Sequence, residues 1–175
     1  MEELVVLVDE KNNVLGTTPK SMVHTTDTRL HRGFSLFIFN KRGDFLLTQR
    51  ALSKKTFPGV WTNTVCGHPG PEELPIEAAK RRLQEEMGMT AESIVHVSDY
   101  RYRFADKNGI VENEICPVFM GYSEQTPIVT PTEIEAAKWV SWETFLKDIQ
   151  TTPDIFSPWC REEAMFVNTY LLARS

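Results

Sequence analysis

A chain of 175 residues, 41% hydrophobic and 25% charged, is long enough to bury a core without disulfide staples. Its formal net charge of −5 argues against a general binder of nucleic acid or of membrane surfaces, although a local cluster of Lys and Arg can reverse the field of one site. The three cysteines, Cys66, Cys116 and Cys160, are odd in number and widely spaced, which fits reduced cytoplasmic thiols better than a disulfide framework.

The opening MEELVVLVDE is acidic with a short apolar run, so neither a signal peptide nor a spanning helix is expected. LVVLVD (4–9) reads as a strand, and the Asn12-Asn13 pair as a turn into a second strand, VLGTT. PKSMVHTTDTRLH is mixed and expected to be irregular, with one helical turn at most. GFSLFIFN (33–40) is nearly continuous apolar, the pattern of a strand buried on both faces, and KRGD turns it into DFLLTQR (44–50) as a hairpin. A polar loop, ALSKKTFPG, leads to VWTNTVCGH.

After PGPEELP comes the strongest helix signal. Ile76, Ala79, Leu83 and Met87 form one apolar stripe, Pro75 suits the first turn and Gly88 the stop. Two long strands are expected next, at 94–105 and 110–122, joined by a DKNG turn. AAKWVSW reads as a strand, WETFLKDIQ as a helix and PWCREEAMFVNTYLLA as an amphipathic helix. No repeat or linker is visible, so one domain over 1–175 is expected, mixed β with a few helices: α+β or an α/β/α sandwich.

The stretch VENEICPVFM (111–120) poses a problem of charge. Residues two apart on a strand share a face, so Glu112 and Glu114 look into one space with Asn113 turned away. Like charges that close need something positive between them. His24, His31 and His68, added to this pair, would make an N₃O₂ site for Zn²⁺, Mn²⁺ or Mg²⁺, although spacing alone does not bring the five together. His96, in IVHVSDY, carries no such pattern.

CGHPGPEELPIEAAKRRLQEEMGM (66–89) resembles the Nudix box, G-x5-E-x7-R-E-U-x-E-E-x-G-U with U aliphatic, which implies a loop–helix–loop metal motif in a Nudix-type sandwich. Acidic side chains there can share Mg²⁺ with substrate phosphates. Spacing of carboxylates alone favours a solvated helix face of mixed charge, and the joint match of glycines, aliphatic positions and acids reverses that. Where the pattern has Glu after its Arg, this chain has Arg82, which weakens a hydrolase reading and supplies a cation for a diphosphate.

HTTDTRLHRGFS, ALSKKTFPGVWTNTVCGHP, YRYR, GIVENEICPVF and FSPW, in this order from His24 to Trp159, resemble the type I isopentenyl-diphosphate Δ-isomerases. The resemblance implies interconversion of isopentenyl and dimethylallyl diphosphate, a small-molecule substrate, in a cytoplasmic enzyme. It assigns proton transfer to Cys66 on one side and to Glu114 with Tyr102 on the other. It assigns one divalent metal to His24, His31, His68, Glu112 and Glu114, and Glu86 to a Mg²⁺ bridging the diphosphate. Lys20, Arg50, Lys54 and Arg82 match the cations around the diphosphate, and Arg's fork suits phosphate oxygens. Trp61 and Trp159 match a pocket whose π-faces stabilise a carbocation. No apolar helix face demands a partner, so a monomer is expected. Two rivals remain: a Nudix pyrophosphohydrolase acting on nucleotides, and a metal- or nucleotide-binding module without turnover.

Overall fold

The computed structural model describes residues 3–174. Strands β1 (Leu4–Val8) and β2 (Val14–Pro19) form the first hairpin, followed by the single turn α1 (Lys20–Val23) and the short β3 (His31–Arg32). Together with β9 (Arg101–Ala105) and β10 (Val111–Ile115) they make a five-stranded sheet of order β2-β1-β3-β10-β9.

The larger sheet is built on β4 (Phe34–Phe39) and β5 (Asp44–Arg50), with β8 (Glu92–Ser98), β11 (Val118–Tyr122) and β12 (Ile134–Ser141) in the order β12-β5-β4-β11-β8. All six residues of β4 are buried, as its apolar run requires. Phe34, Leu36 and Ile38 face α2 (Pro75–Met87), packing with Ala78, Ala79, Leu83 and Met87. Phe37 and Phe39 face the other side, where α3 (Trp142–Thr151) supplies Phe145 and Ile149 and α4 (Pro158–Leu172) supplies Trp159, Ala164 and Val167. The strand is therefore the middle layer of an α/β/α sandwich.

The 33–50 hairpin splays at once. β4 and β5 pair only at Phe39 and Phe45. Two short strands enter the gap, β6 (Trp61–Thr62) on β5 and β7 (Val65–Gly67) on β4. Thr64 spans the opening: its hydroxyl accepts from the Ile38 amide at 2.9 Å and donates to the Leu46 carbonyl at 2.7 Å. Buried backbone groups that lost their ladder partners are satisfied in this way. The wedge puts Cys66 opposite Ser35, deep in the sheet.

The two long strands expected at 94–105 and 110–122 are four. Each breaks, at Asp99-Tyr100 and at Cys116-Pro117, and Pro117 has no amide to continue a ladder. β8 and β11 pair in the large sheet, β9 and β10 in the small one, and the Cys116 amide donates to the Tyr100 carbonyl at 2.8 Å across the corner. One hairpin thus belongs to both sheets.

In α2, Pro75 opens the helix and Gly88 closes it with a left-handed φ of 61°, its amide donating to the Gln84 carbonyl. Arg81 reaches back to Glu73 through two hydrogen bonds, Nε at 2.8 Å and Nη2 at 2.9 Å, and Glu73 also accepts from the Gly70 amide. This bidentate clamp ties the loop to the helix and accounts for two fixed positions of the box. Leu83 is fully buried on the α2 stripe. Leu83→Ala is expected to lower unfolding free energy by about 2–5 kcal/mol, read by urea denaturation with an unchanged slope.

Candidate active site

Five side chains from four parts of the chain converge. His24 follows α1, His31 sits in β3, His68 follows β7, and Glu112 and Glu114 lie in β10. All five are buried, and one ligand atom from each lies within 4.8 Å of the others. The imidazole centroids are 5.0–5.5 Å apart. β3 carries the join: His31 is in register with Leu7 on β1 and with Glu114 on β10. Asn113 turns away from the two carboxylates, and its Nδ2 donates to the Thr28 carbonyl at 3.0 Å. That bond, with Val111 amide to Thr25 carbonyl and Thr25 amide to Thr28 Oγ1, holds the 24–31 segment against β10.

The donor set fits a divalent ion. His31 Nδ1 lies 2.8 Å from the Arg29 carbonyl, which fixes Nδ1 as the donor and leaves the Nε2 lone pair facing the cluster. His24 Nε2 is 2.8 Å from Glu112 Oε2, yet the two are not aligned as donor and acceptor, and both atoms are buried without a hydrogen-bond partner. His31 Nε2 is also buried without a partner, and His68 meets the cluster through Nε2, 3.1 Å from Glu114 Oε1. Unpartnered buried lone pairs pointing into one space are what a metal site requires. Three imidazoles and two carboxylates suit several divalent ions.

The imidazoles also answer the charge problem of β10. Burial works to raise the Glu114 carboxyl, but His31 and His68, 3.5 and 3.1 Å from Oε1, hold it well below the usual carboxylate range. Burial likewise works to raise Glu112, and His24 outweighs it. His31 is raised, its burial overcome by Glu114, whereas burial keeps His68 low.

Beside the cluster is a cavity of 390 Å³. Cys66, from the large sheet, and Tyr102 and Glu114, cross-strand partners in the small sheet, all line it. Burial pushes the Cys66 thiol up to about 12 against the opposing pull of Arg50, which favours its protonated form. Burial also carries the Tyr102 phenol well above its ordinary value. Trp159, also in the lining, is stacked on Tyr102 at 5.8 Å and held by Nε1 donating to Asn63 Oδ1 at 3.3 Å.

Lys20, Arg50, Lys54 and Arg82 line the same cavity, and each is already engaged. Lys20 pairs with Glu3 at 2.9 Å and Lys54 with Glu133. Arg82 bridges Glu86 at 2.7 Å and Glu133 at 3.1 Å. Glu86 is not in the lining. It stands behind Arg82, in a small adjoining space shared with Arg50, Lys54 and Glu133, and outside the His/Glu cluster.

Trp61, expected beside Trp159, packs against the cluster that holds Tyr102 and Trp159. It lies outside the cavity lining, on the edge strand β6, with the Lys138 ammonium 4.3 Å from its ring centroid. Four residues with a place at the site were missed. Gly33 leaves room for Glu114, since a Cβ there would stand 1.8 Å from Glu114 Oε2. Thr56 donates to Glu112 Oε1. Glu3 and Glu133 hold the cations. Only Gly33, inside the HRGFS motif, and Thr56, inside KKTFPG, had a signal in the sequence.

Fold and site together define the class. Residues 29–160 match the NUDIX domain family, and the chain belongs to it. Within it the relatives are narrower: the chain is 46% identical over 162 residues to an isopentenyl-diphosphate Delta-isomerase of Saccharopolyspora erythraea, covering 92% of this chain and 84% of that one. It is 49% identical over 164 residues to an enzyme of the same name from Corynebacterium efficiens, covering 90% and 86%. Among solved structures, DR0079 of Deinococcus radiodurans has a TM-score of 0.72 at 23% identity, over 93% of this chain and 98% of that one. A MutT protein of Methanosarcina mazei has 0.66 at 23%, over 81% and 95%. At such identities these two show the shared fold.

Gly33→Ala is expected to fold, by circular dichroism, yet to hold a divalent metal on the order of tenfold more weakly or worse because Glu114 is displaced, read by chelator competition. Removing the metal is expected to speed proteolysis between residues 24 and 31, because ligands on an irregular segment lose their anchor. Mass mapping of the first cuts, with and without chelator, checks this.

Proposed function

We propose that this chain is an isopentenyl-diphosphate Δ-isomerase whose proton-transfer groups are Cys66 and the pair Glu114–Tyr102. The observation that carries the assignment of roles is that a thiol from one sheet and a carboxylate–phenol pair from the other line a single cavity.

The reaction adds a proton to the terminal alkene carbon and removes one from the carbon two bonds away, through a species cationic at the tertiary carbon between them. An alkene is a poor base, so the donor must be well placed and water excluded. A half-buried neutral thiol can give a proton without first carrying charge. A carboxylate in reach of the other carbon, with a phenol beside it, can take or return one. The indole face of Trp159 meets the cationic carbon without offering a nucleophile that would trap it.

A divalent ion held by His24, His31, His68, Glu112 and Glu114 would neutralise the two carboxylates and fix Glu114 in place. Zn²⁺, Mn²⁺ and Mg²⁺ all suit the set. At the other end Lys20, Arg50, Lys54 and Arg82 bind the diphosphate, with Glu86 supporting a Mg²⁺ there. The diphosphate enters by taking Lys20, Lys54 and Arg82 over from Glu3 and Glu133. Arg82 stands where the Nudix pattern has an acid, and the loss of that acid disfavours the hydrolase rival. The working unit we propose is one domain over 1–175, a cytoplasmic monomer acting on a small isoprenoid diphosphate, with no nucleic acid. Among the described residues no helix is long and apolar enough to cross a membrane.

Proton NMR of isopentenyl diphosphate with Mg²⁺ in deuterated water tests the reading. The dimethylallyl isomer is expected, with deuterium entering carbon. Cys66→Ala and Glu114→Gln are each expected to lower kcat by about 10²–10⁴ or more. An unchanged spectrum from folded, metal-loaded protein, or a fully active Cys66→Ala, would sink it. Phosphate release from nucleoside diphosphates that survives Cys66→Ala would install the hydrolase instead.

A further inference from the structure

We propose that Thr56 is a positioning residue that couples the metal-binding carboxylate Glu112 to Arg50, so that the His/Glu site and the diphosphate end are set as one unit. The inference rests on reading the His/Glu cluster as a metal centre.

Thr56 lies in the loop between β5 and β6 and is buried at 3% exposure. A hydroxyl has one proton to give. Arg50 is donor only, so the Thr56 proton goes to Glu112 Oε1 and its lone pairs accept Arg50 Nη2 at 3.1 Å. Anchoring Oε1 leaves Oε2, the atom 2.8 Å from His24 Nε2, turned into the ligand cluster. Supporting partners of this kind hold a ligating carboxylate in one orientation.

The same residue fixes Arg50 a second time. The Thr56 carbonyl accepts from Nη2 at 2.8 Å and from Nε at 3.3 Å, and the Phe57 carbonyl accepts from Nε at 3.2 Å. Two of the three guanidinium nitrogens are thereby spent on the loop. Nη1 is left facing Cys66 Sγ at 3.8 Å, with the guanidinium carbon 5.6 Å from the Trp159 ring centroid. The loop is held in this shape at a cost: Phe57 adopts φ 45°, a left-handed conformation that bulky side chains avoid. The Phe57 ring packs edge-on against Trp159 at 5.0 Å and secures it. Thr56 is therefore the point where carboxylate, guanidinium and a strained loop are tied together. Whatever orders Glu112 orders Arg50, and the coupling runs both ways.

The test compares Thr56→Val, which keeps the shape and removes the hydroxyl, with Thr56→Ser, which keeps the hydroxyl. Metal-stripped proteins are titrated with Mn²⁺ by chelator competition, and KM for isopentenyl diphosphate is measured at saturating Mg²⁺. Thr56→Val is expected to bind Mn²⁺ about 10–100-fold more weakly and to raise KM, while Thr56→Ser restores both. Should the valine variant not fold, Thr56→Ala against Thr56→Ser makes the same comparison. Wild-type affinity in Thr56→Val overturns the inference, as does a Thr56→Ser as weak as the valine, which would point to methyl packing. A wild-type protein that binds no Mn²⁺ rejects the metal centre itself, a distinct result.

Discussion

Two carboxylates on one face of a buried strand dictate the arrangement around them. Glu112 and Glu114 are each 5% exposed, and burying one such charge without compensation costs far more than a hydrogen bond returns. Three imidazoles therefore gather from two separate stretches of chain, the 24–31 segment and the end of β7, and the backbone is bent to let them. β3 is only two residues long, but it pairs with β1 on one side and β10 on the other. Gly33 follows it because any side chain there would collide with Glu114. Asn113, facing the opposite way, fastens the segment that carries two of the histidines.

The diphosphate end follows the inverse logic. There the buried or half-buried charges are cations, and before substrate arrives they are neutralised by Glu3, Glu86 and Glu133. A cavity lined with unpaired cations would repel itself and pull in any anion. Provisional carboxylate partners keep the empty site compact while leaving exchangeable contacts for phosphate oxygens. Arg82, where the Nudix pattern has an acid, is central to this: it is buried yet meets three carboxylates, Glu85, Glu86 and Glu133.

Local chemistry was the legible part. Apolar runs, the α2 stripe with Pro75 and Gly88, and the period-two placement of Glu112 and Glu114 follow from short-range rules, and so does the layered class. The ligand set was reached through a resemblance, because nothing in spacing alone joins residues 24, 31, 68, 112 and 114. The splitting of the 94–105 and 110–122 strands was missed because both halves are individually good strands; only Pro117 hinted at the change of sheet. The surroundings of Trp61 were not legible either: its ring lies beside Lys138 of β12, a neighbour set by sheet pairing and not by its motif. Glu3 and Glu133 sit in unpatterned sequence and are recruited purely by tertiary proximity.

The parallel pairing of β3 with β10 has a consequence for how the molecule comes into being. Asn113 and Thr28 are 85 residues apart in sequence, so their contact closes a very large loop of chain. Such contacts carry a high entropic price of closure and form late. The splayed hairpin and α2 can organise from neighbouring sequence, but the ligand cluster exists only once the small sheet has zipped onto β3. Metal affinity is therefore a property of the assembled small sheet, and anything that loosens the pairing of β3 with β10 loosens the ligand set with it.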